Sequence, residues 1–203
     1  MTLRQPLILG SASPRRKYLL EQLGLDFTVR VSHVEEVLPT GYPVAKAAGY
    51  LAVLKADACA HFLDTGAAVL TADTVVVHEG QLLGKPAHRA DALQGLRRLQ
   101  NATHTVYTGV VLQYLDKFGA PQRLTHIDES TVHIAACSEA ELAHYVDHNE
   151  VLDKAGGYGI QDWFGWTKVE RIDGSYSNVM GLPTAAVWKM LRQAELRGSY
   201  ADA

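Results

Sequence analysis

The chain has 203 residues, 47% apolar and 20% charged, enough to bury a sizeable core in a single domain spanning 1–203 with room for two lobes. A formal charge of −3 argues against a dedicated nucleic-acid binder, and no run of about 18 apolar residues suggests a membrane span. Cys59 and Cys137 lie far apart and read as small buried or half-buried residues, which suits a reducing cytoplasm.

The apolar run Leu7-Ile8-Leu9 predicts a strand that breaks at Gly10 into a hydroxyl-rich loop. Ser13 then stands at an N-cap position and Pro14 at the first helical position, so Arg15 and Arg16 fall in the first turn of a helix running to Leu23 and stopping at Gly24. On this helix Tyr18, Leu19, Leu20 and Leu23 recur at helical spacing. Phe27 to Val31 alternates like a half-buried strand and leads into Ser32-His33-Val34-Glu35-Glu36 at a loop edge. Pro43 to Leu63 predicts the longest helix, with Ala47, Ala48, Leu51, Leu54, Ala58 and Phe62 on one face and Lys55 beside it.

Ala67 to His78 is the most strand-like run, and Glu79-Gly80 is a turn that folds Gln81 to Leu83 back as a hairpin partner. Gly84-Lys85-Pro86 breaks the chain before a helix over 91–99. Two long strands follow, 104–114 and 122–135, joined by a turn over 116–121. Ser138 caps a helix to His148, with Glu141 completing a capping box. Residues 153–161 are glycine-rich and irregular, 166–172 predict a strand, 173–183 a loop, and 184–195 the last helix. Residues 198–203 read as a frayed tail. Hairpins beside crossover units predict an α/β fold with a mixed twisted sheet flanked by helices.

The loop at 10–16 is an anion-binding address. A helix N-terminus presents free N–H groups, two arginines add full charge, and Ser11 and Ser13 offer hydroxyls to phosphate oxygens. A helix start serving stability alone favours Asp or Glu there, because cations oppose the macrodipole. Asp73 is the sharpest single candidate elsewhere, since Val69, Thr71, Asp73, Val75 and Val77 share one face of the strand. A carboxylate among β-branched residues is costly unless paired, hydrogen-bonded or bound to metal, or turned to solvent by a bulge. Singly, Glu35, Glu36, Lys55 and Lys85 read as surface charges. Together they make a chemical set in which Arg15, Arg16, Lys55 and Lys85 neutralise a polyphosphate while Asp73 and Glu36 hold a hard divalent ion and orient water. Hydrolysis of a nucleotide anhydride needs both parts.

Other constellations carry less. His144 and His148 have a zinc-compatible spacing but lack the Glu of His-Glu-x-x-His. Tyr145, Trp163, Phe164 and Trp166 suit either a base stack or core and dimer packing.

Gly-Ser-Ala-Ser-Pro-Arg-Arg at 10–16, Leu-Ala-x-x-Lys-Ala at 51–56, Ala-Asp-Thr-Val-Val at 72–76 and Gly-Lys-Pro at 84–86 occur in the order seen in Maf-like proteins. His-Thr-Val-Tyr-Thr-Gly-Val at 104–110, Asp-Lys-Ala-Gly-Gly-Tyr-Gly-Ile-Gln at 153–161 and Asn-Val-Met-Gly-Leu-Pro at 178–183 continue the order. The chain resembles that family from about residue 7 to 192.

The resemblance implies a Maf/ITPase-like fold with two lobes around a central cleft, and a cytoplasmic homodimer. It implies a nucleoside triphosphate pyrophosphatase that cleaves between the α and β phosphates with Mg²⁺ or Mn²⁺. The family's proton acceptor falls on Asp73, and its phosphate and metal shell on Ser11, Arg15, Arg16, Glu36, Lys55 and Lys85. In the branch that looks like dTTP/UTP pyrophosphatases, base selection falls on Arg15, Thr74 and Gln161, and a side-chain amide can both donate to and accept from a uracil or thymine edge. The same reaction on purine or 7-methylguanosine triphosphates is the alternative, as is a non-catalytic nucleotide-binding regulator of cell division. The chain departs from the family pattern at Asp162-Trp163-Phe164, at Gly157 and at Ser175-Tyr176-Ser177.

Overall fold

A computed structural model describes residues 3–31 and 33–196. The expected tail at 198–203 and Ser32 of the loop edge lie outside the described residues. The first half of the chain forms β1 (Leu7–Leu9), α1 (Pro14–Gln22), β2 (Phe27–Val29), α2 (Val44–Ala58), β3 (Ala68–His78), β4 (Gln81–Leu83) and α3 (Arg89–Leu99). There follow β5 (Thr103–Leu115), β6 (Pro121–Ile134), α4 (Glu139–His148), α5 (Trp163–Lys168), β7 (Val169–Asp173), α6 (Tyr176–Met180) and α7 (Thr184–Gln193).

Among the described residues the strands form one seven-stranded sheet in the order β2-β1-β3-β5-β6-β7, with β4 also paired to β3. β1 runs parallel to β2 and β3, with Leu7 opposite Phe27 and Ala68, whereas β4 and β7 are antiparallel to β3 and β6. The sheet is therefore mixed, as the hairpin and crossover signals predict. Leu7, Ile8 and Leu9 are all buried, which a continuous apolar run between two parallel neighbours requires. β2 is an edge strand that ends at Val29, and Val31 beyond it is exposed. The Glu79-Gly80 turn has positive φ at both residues, the primed geometry that matches strand twist, and it sets Val77 opposite Leu82.

The chain divides into two compact units, one formed by residues up to 73, 108–128 and 181 onward, the other by 74–107 and 129–180. In the first unit α2 approaches β5 most closely at Gly109, where a Cβ would stand 2.4 Å from the Ala48 carbonyl oxygen. The alanines at 47, 48, 52 and 56 make that approach possible. In the second unit α3, α4 and α5 share one core, with Leu96, Leu99, Leu142, Tyr145 and Phe164 almost fully excluded from water. Each such leucine contributes roughly 1.5–3 kcal/mol by burial.

Four expectations are corrected. The long helix over 43–63 ends at Cys59, and a 3-10 turn over Ala60–Thr65 replaces its last turns, letting Leu63 pack with Ile8, Cys59 and Val69. The stretch expected as a strand from Trp166 begins as α5. Trp163 and Phe164 are consecutive, yet both rings lie against Tyr145, at 6.2 and 5.1 Å between centroids, which the alternating faces of a strand do not permit. The loop expected over 173–183 contains α6, whose start is marked by the Asn178 amide donating to Ser175 Oγ at 3.4 Å. Tyr18, expected on the apolar face of α1, is 49% exposed while Leu19 and Leu20 are buried.

Candidate active site

The first unit carries the loop after β1. Gly10 donates to the Leu70 carbonyl at 2.8 Å, and a Cβ there would come within 2.7 Å of Thr71 Cγ2, so glycine allows the loop to hug β3. Ser13 caps α1 as expected, its Oγ accepting from the Arg16 amide at 3.5 Å. Ser11, itself buried, has its Oγ accepting from the Ser13 amide at 3.3 Å and from Arg16 Nη1 at 3.0 Å. Arg16 Nε donates to the Gly181 carbonyl at 2.9 Å. Arg16 is thus a buried guanidinium that ties the loop to Gly181. Burial lowers its pKa, and the charges of Asp73 and Glu36 work against that shift while Arg15 adds to it.

Asp73 stands on β3 and is 7% exposed, so no bulge turns it to solvent. Helix periodicity explains its partner. Thr71, two residues earlier and on the same face, donates to the Ala52 carbonyl at 2.9 Å. Lys55, three residues after Ala52 on α2, then reaches Asp73 and donates to its Oδ1. The same ammonium pairs with Glu36 Oε2 at 2.9 Å. Lys55 therefore gathers two carboxylates from segments 37 residues apart onto one cation. Burial raises the Asp73 pKa above the ordinary carboxylate range, against the pull of Lys55 and Arg16 and with a smaller push from Glu36.

Among the described residues no group of three His, Cys, Asp or Glu is placed to hold a metal ion, and the His144/His148 pair packs ring to ring at 4.4 Å. Glu36 and Asp73 offer a pair of hard oxygen donors at one point. That set is incomplete for a closed site and fits a hydrated Mg²⁺ or Mn²⁺ that takes its remaining ligands from water and phosphate.

The second unit holds the other candidates. Lys85 is exposed and lines a hollow of about 400 Å³ together with Leu83, Asp91, Gln94, Arg98 and Gly156. Thr74 and Gln161 are half-buried, and Gln161 Oε1 is buried without a hydrogen-bond partner. Of the aromatic candidates, Tyr145 and Phe164 are core, whereas Trp166 is 73% exposed. Cys59 is buried, Cys137 half-buried, and both are free thiols.

Two polar pairs of this unit escaped the sequence reading. His104 Nε2 lies 2.7 Å from Tyr158 Oη, and Tyr145 Oη lies 2.8 Å from Asp162 Oδ2. Burial drives the His104 pKa down to about 4, with His78 and His133 adding to the shift. The glycines of 156–159 signalled close approach in the second case, but not what approached.

The chain is similar to a dTTP/UTP pyrophosphatase of Flavobacterium johnsoniae, 40% identical over 91% of this chain and 93% of that one. It is also similar to a dTTP/UTP pyrophosphatase of Salinibacter ruber, 43% identical over 97% of this chain and 92% of that one. A solved nucleoside-triphosphatase / dITP/XTP pyrophosphatase of Mycobacterium abscessus is a remote likeness, 14% identical over 95% of this chain and 100% of that one, with a TM-score of 0.40. The family model described as Maf-like protein matches residues 6–194, and with relatives at this level of identity along most of its length the chain belongs to the Maf-like protein family.

Proposed function

We propose that the protein hydrolyses dTTP and UTP to the monophosphate and pyrophosphate, the activity named for the relatives that match it over more than nine-tenths of its length. The observation that carries the chemistry is Asp73, a carboxylate buried in an apolar strand and held by Lys55, which itself holds Glu36. Asp73 accepts a proton from water. The oxygen of that water forms a bond to the α phosphorus, the bond from that phosphorus to the bridging oxygen breaks, and pyrophosphate leaves. Burial suits Asp73 to this work, because a carboxylate raised toward neutrality is a stronger base than one in water.

Charge stabilisation falls to Ser11, Ser13, Arg15, Arg16, Lys55 and Lys85, with Arg16 acting as much through the loop it fastens as through its charge. Glu36 and Asp73 hold Mg²⁺ or Mn²⁺, which when bound neutralises phosphate charge. Arg15, Thr74 and Gln161 select the base, and the buried, unpartnered Gln161 Oε1 supports that role because it lacks a donor that a pyrimidine N3–H can supply. We read the chain as one such domain, acting as a homodimer in the cytoplasm. No helix among the described residues is long and apolar enough to cross a membrane.

A panel of nucleoside triphosphates assayed with Mg²⁺ and with Mn²⁺ tests the reading, scoring pyrophosphate separately from orthophosphate. Pyrophosphate release strongest with dTTP and UTP is the expected result. Orthophosphate as the product, or a preference for GTP, overturns it.

A further inference from the structure

Gln161 sits in a segment whose shape is set by Tyr145, Gly159 and Asp162. Tyr145 is fully buried on α4, and its hydroxyl has two partners in that segment. It accepts from the Gly159 amide at 3.1 Å and lies 2.8 Å from Asp162 Oδ2. Burial, reinforced by the Asp162 charge, raises the Tyr145 pKa far above its ordinary value, so the hydroxyl keeps its proton and donates to the carboxylate. The Asp162 amide in turn approaches the Gly159 carbonyl at 3.4 Å. One phenol thus closes the loop across residues 159–162 from both sides of Gln161.

Gly159 shows how tightly that loop is drawn. A Cβ there would stand 2.4 Å from Asp162 Oδ2, 3.0 Å from Gln161 Nε2 and 3.0 Å from Lys154 Cε. The side chains of Asp162, Gln161 and Lys154 therefore fold over one bare Cα. Lys154 is anchored separately, by Asp153 Oδ1 at 2.7 Å and by the Glu150 carbonyl. Downstream, Trp166 Nε1 donates to the Gln161 carbonyl at 2.9 Å, pinning the backbone of the same residue. Gln161 Oε1 stays buried and unpartnered within this frame. An amide kept in that state is preorganised to receive a donor, since the loop has already lost its freedom and the oxygen has already lost its water.

We propose that Tyr145 and Asp162 are positioning residues for base selection: their hydrogen bond, with that of Gly159 to the same hydroxyl, holds the Gln161 amide where it reads the pyrimidine edge. The proposal rests on the reading of Gln161 as the base-selecting residue. It places specificity in the fold behind the amide rather than in the amide alone.

The test compares kcat/KM for UTP over GTP in the wild type, Gln161→Ala, Tyr145→Phe and the double variant, with melting temperature as a check that the phenylalanine fills the same space. Tyr145→Phe should lower the ratio by roughly three- to tenfold, the effect of one hydrogen bond, through KM for UTP with kcat little changed. In the double variant the ratio should equal that of Gln161→Ala, because a positioning residue has nothing left to position. Asp162→Asn keeps an oxygen acceptor for the phenol and should preserve the ratio, while Asp162→Ala should lower it. If Gln161→Ala lowers the ratio but neither Tyr145→Phe nor Asp162→Ala does, the positioning inference is wrong. If Gln161→Ala leaves the ratio unchanged, the base-selection reading fails instead. Should Tyr145→Phe not fold, the Asp162 pair decides, and equal ratios in Asp162→Asn and Asp162→Ala overturn the proposal.

Discussion

Asp73→Asn separates what the carboxylate does for the reaction from what it does to the fold. The amide keeps the shape and retains an oxygen for Lys55, but it cannot take a proton from water. General-base catalysis contributes about 10²–10⁴-fold, so turnover of UTP and dTTP should fall at least about a hundredfold, or about 2.7 kcal/mol in the barrier. Stability should move the other way. Exchanging the carboxylate for a neutral oxygen weakens the bond from the Lys55 ammonium, at a cost of about 1 kcal/mol. Yet the folded Asp73 pKa is raised, which means that burial of the charge outweighs the help from Lys55 and Arg16. A group whose pKa is raised on folding stabilises the native state below its unfolded pKa, and that contribution is lost as pH rises through the folded value. Above the ordinary carboxylate pKa the native state therefore carries a burden that asparagine removes, and Lys55 still has Glu36 at 2.9 Å. The variant should melt no lower than the wild type at pH 7, and its relative advantage should shrink as pH falls through the folded Asp73 pKa. Pyrophosphate release at saturating UTP and thermal melts across that range measure both arms. A variant that stays folded with near-normal turnover refutes Asp73 as the base. A melting temperature depressed by several degrees at pH 7 refutes the electrostatic argument, since 1 kcal/mol is worth roughly 2–4 °C at this size.

Three further outcomes follow from the same contacts. Lys55→Met removes the main charge and hydrogen bond that lower the Asp73 pKa, so the acid limb of the kcat/KM profile for UTP should move to higher pH; an unmoved limb means another group titrates. Arg16→Lys loses the fork that spans the Gly181 carbonyl and Ser11 Oγ, and KM for triphosphate should rise about tenfold or more with a lower melting temperature; an unchanged KM would show that the fastening is dispensable. His104 is pushed down from 6.5 to about 4, so the unfolded chain binds a proton that the native state refuses as pH falls through that window, an acid loss that reaches about 2 kcal/mol by pH 5 and that His104→Gln should flatten in urea titrations at pH 7, 6 and 5.

Local signals carried most of the elements. Ser13-Pro14 and the Ser138/Glu141 capping box mark helix starts through chemistry confined to four residues, and both caps form in the structure as the spacing predicts. Glu79-Gly80 fixes a hairpin for the same reason. Failures fall where tertiary packing overrides propensity. Trp166 and Thr167 read with the strand that runs to Ile172, whereas they belong to the helical turn that packs Phe164 beside Tyr145 and Tyr158. Cys59 ends α2 without a sequence breaker, because a shared apolar cluster with Ile8 and Val69 draws the chain away from the helix axis.

The site divides along the same line. Asp73 is conspicuous because a carboxylate in a β-branched run is costly, and pairing is among the open alternatives, but Lys55 reads as a cation for the polyphosphate and not as its partner. What no spacing shows is that one ammonium holds both Asp73 and Glu36, for that depends on α2 approaching the sheet closely enough for Thr71 to bond the Ala52 carbonyl. The small residues that permit the approach, Ala48 and Gly109, are 61 positions apart, and Ala48 reads only as one more apolar position of its helix. Tyr145 is harder still. On a helix wheel it belongs to the apolar face, and it is indeed fully buried. Its ring satisfies the pattern while its hydroxyl does separate work, bonding Gly159 and Asp162. A residue whose ring belongs to the core and whose oxygen belongs to the site is silent in any pattern that scores the side chain as one object.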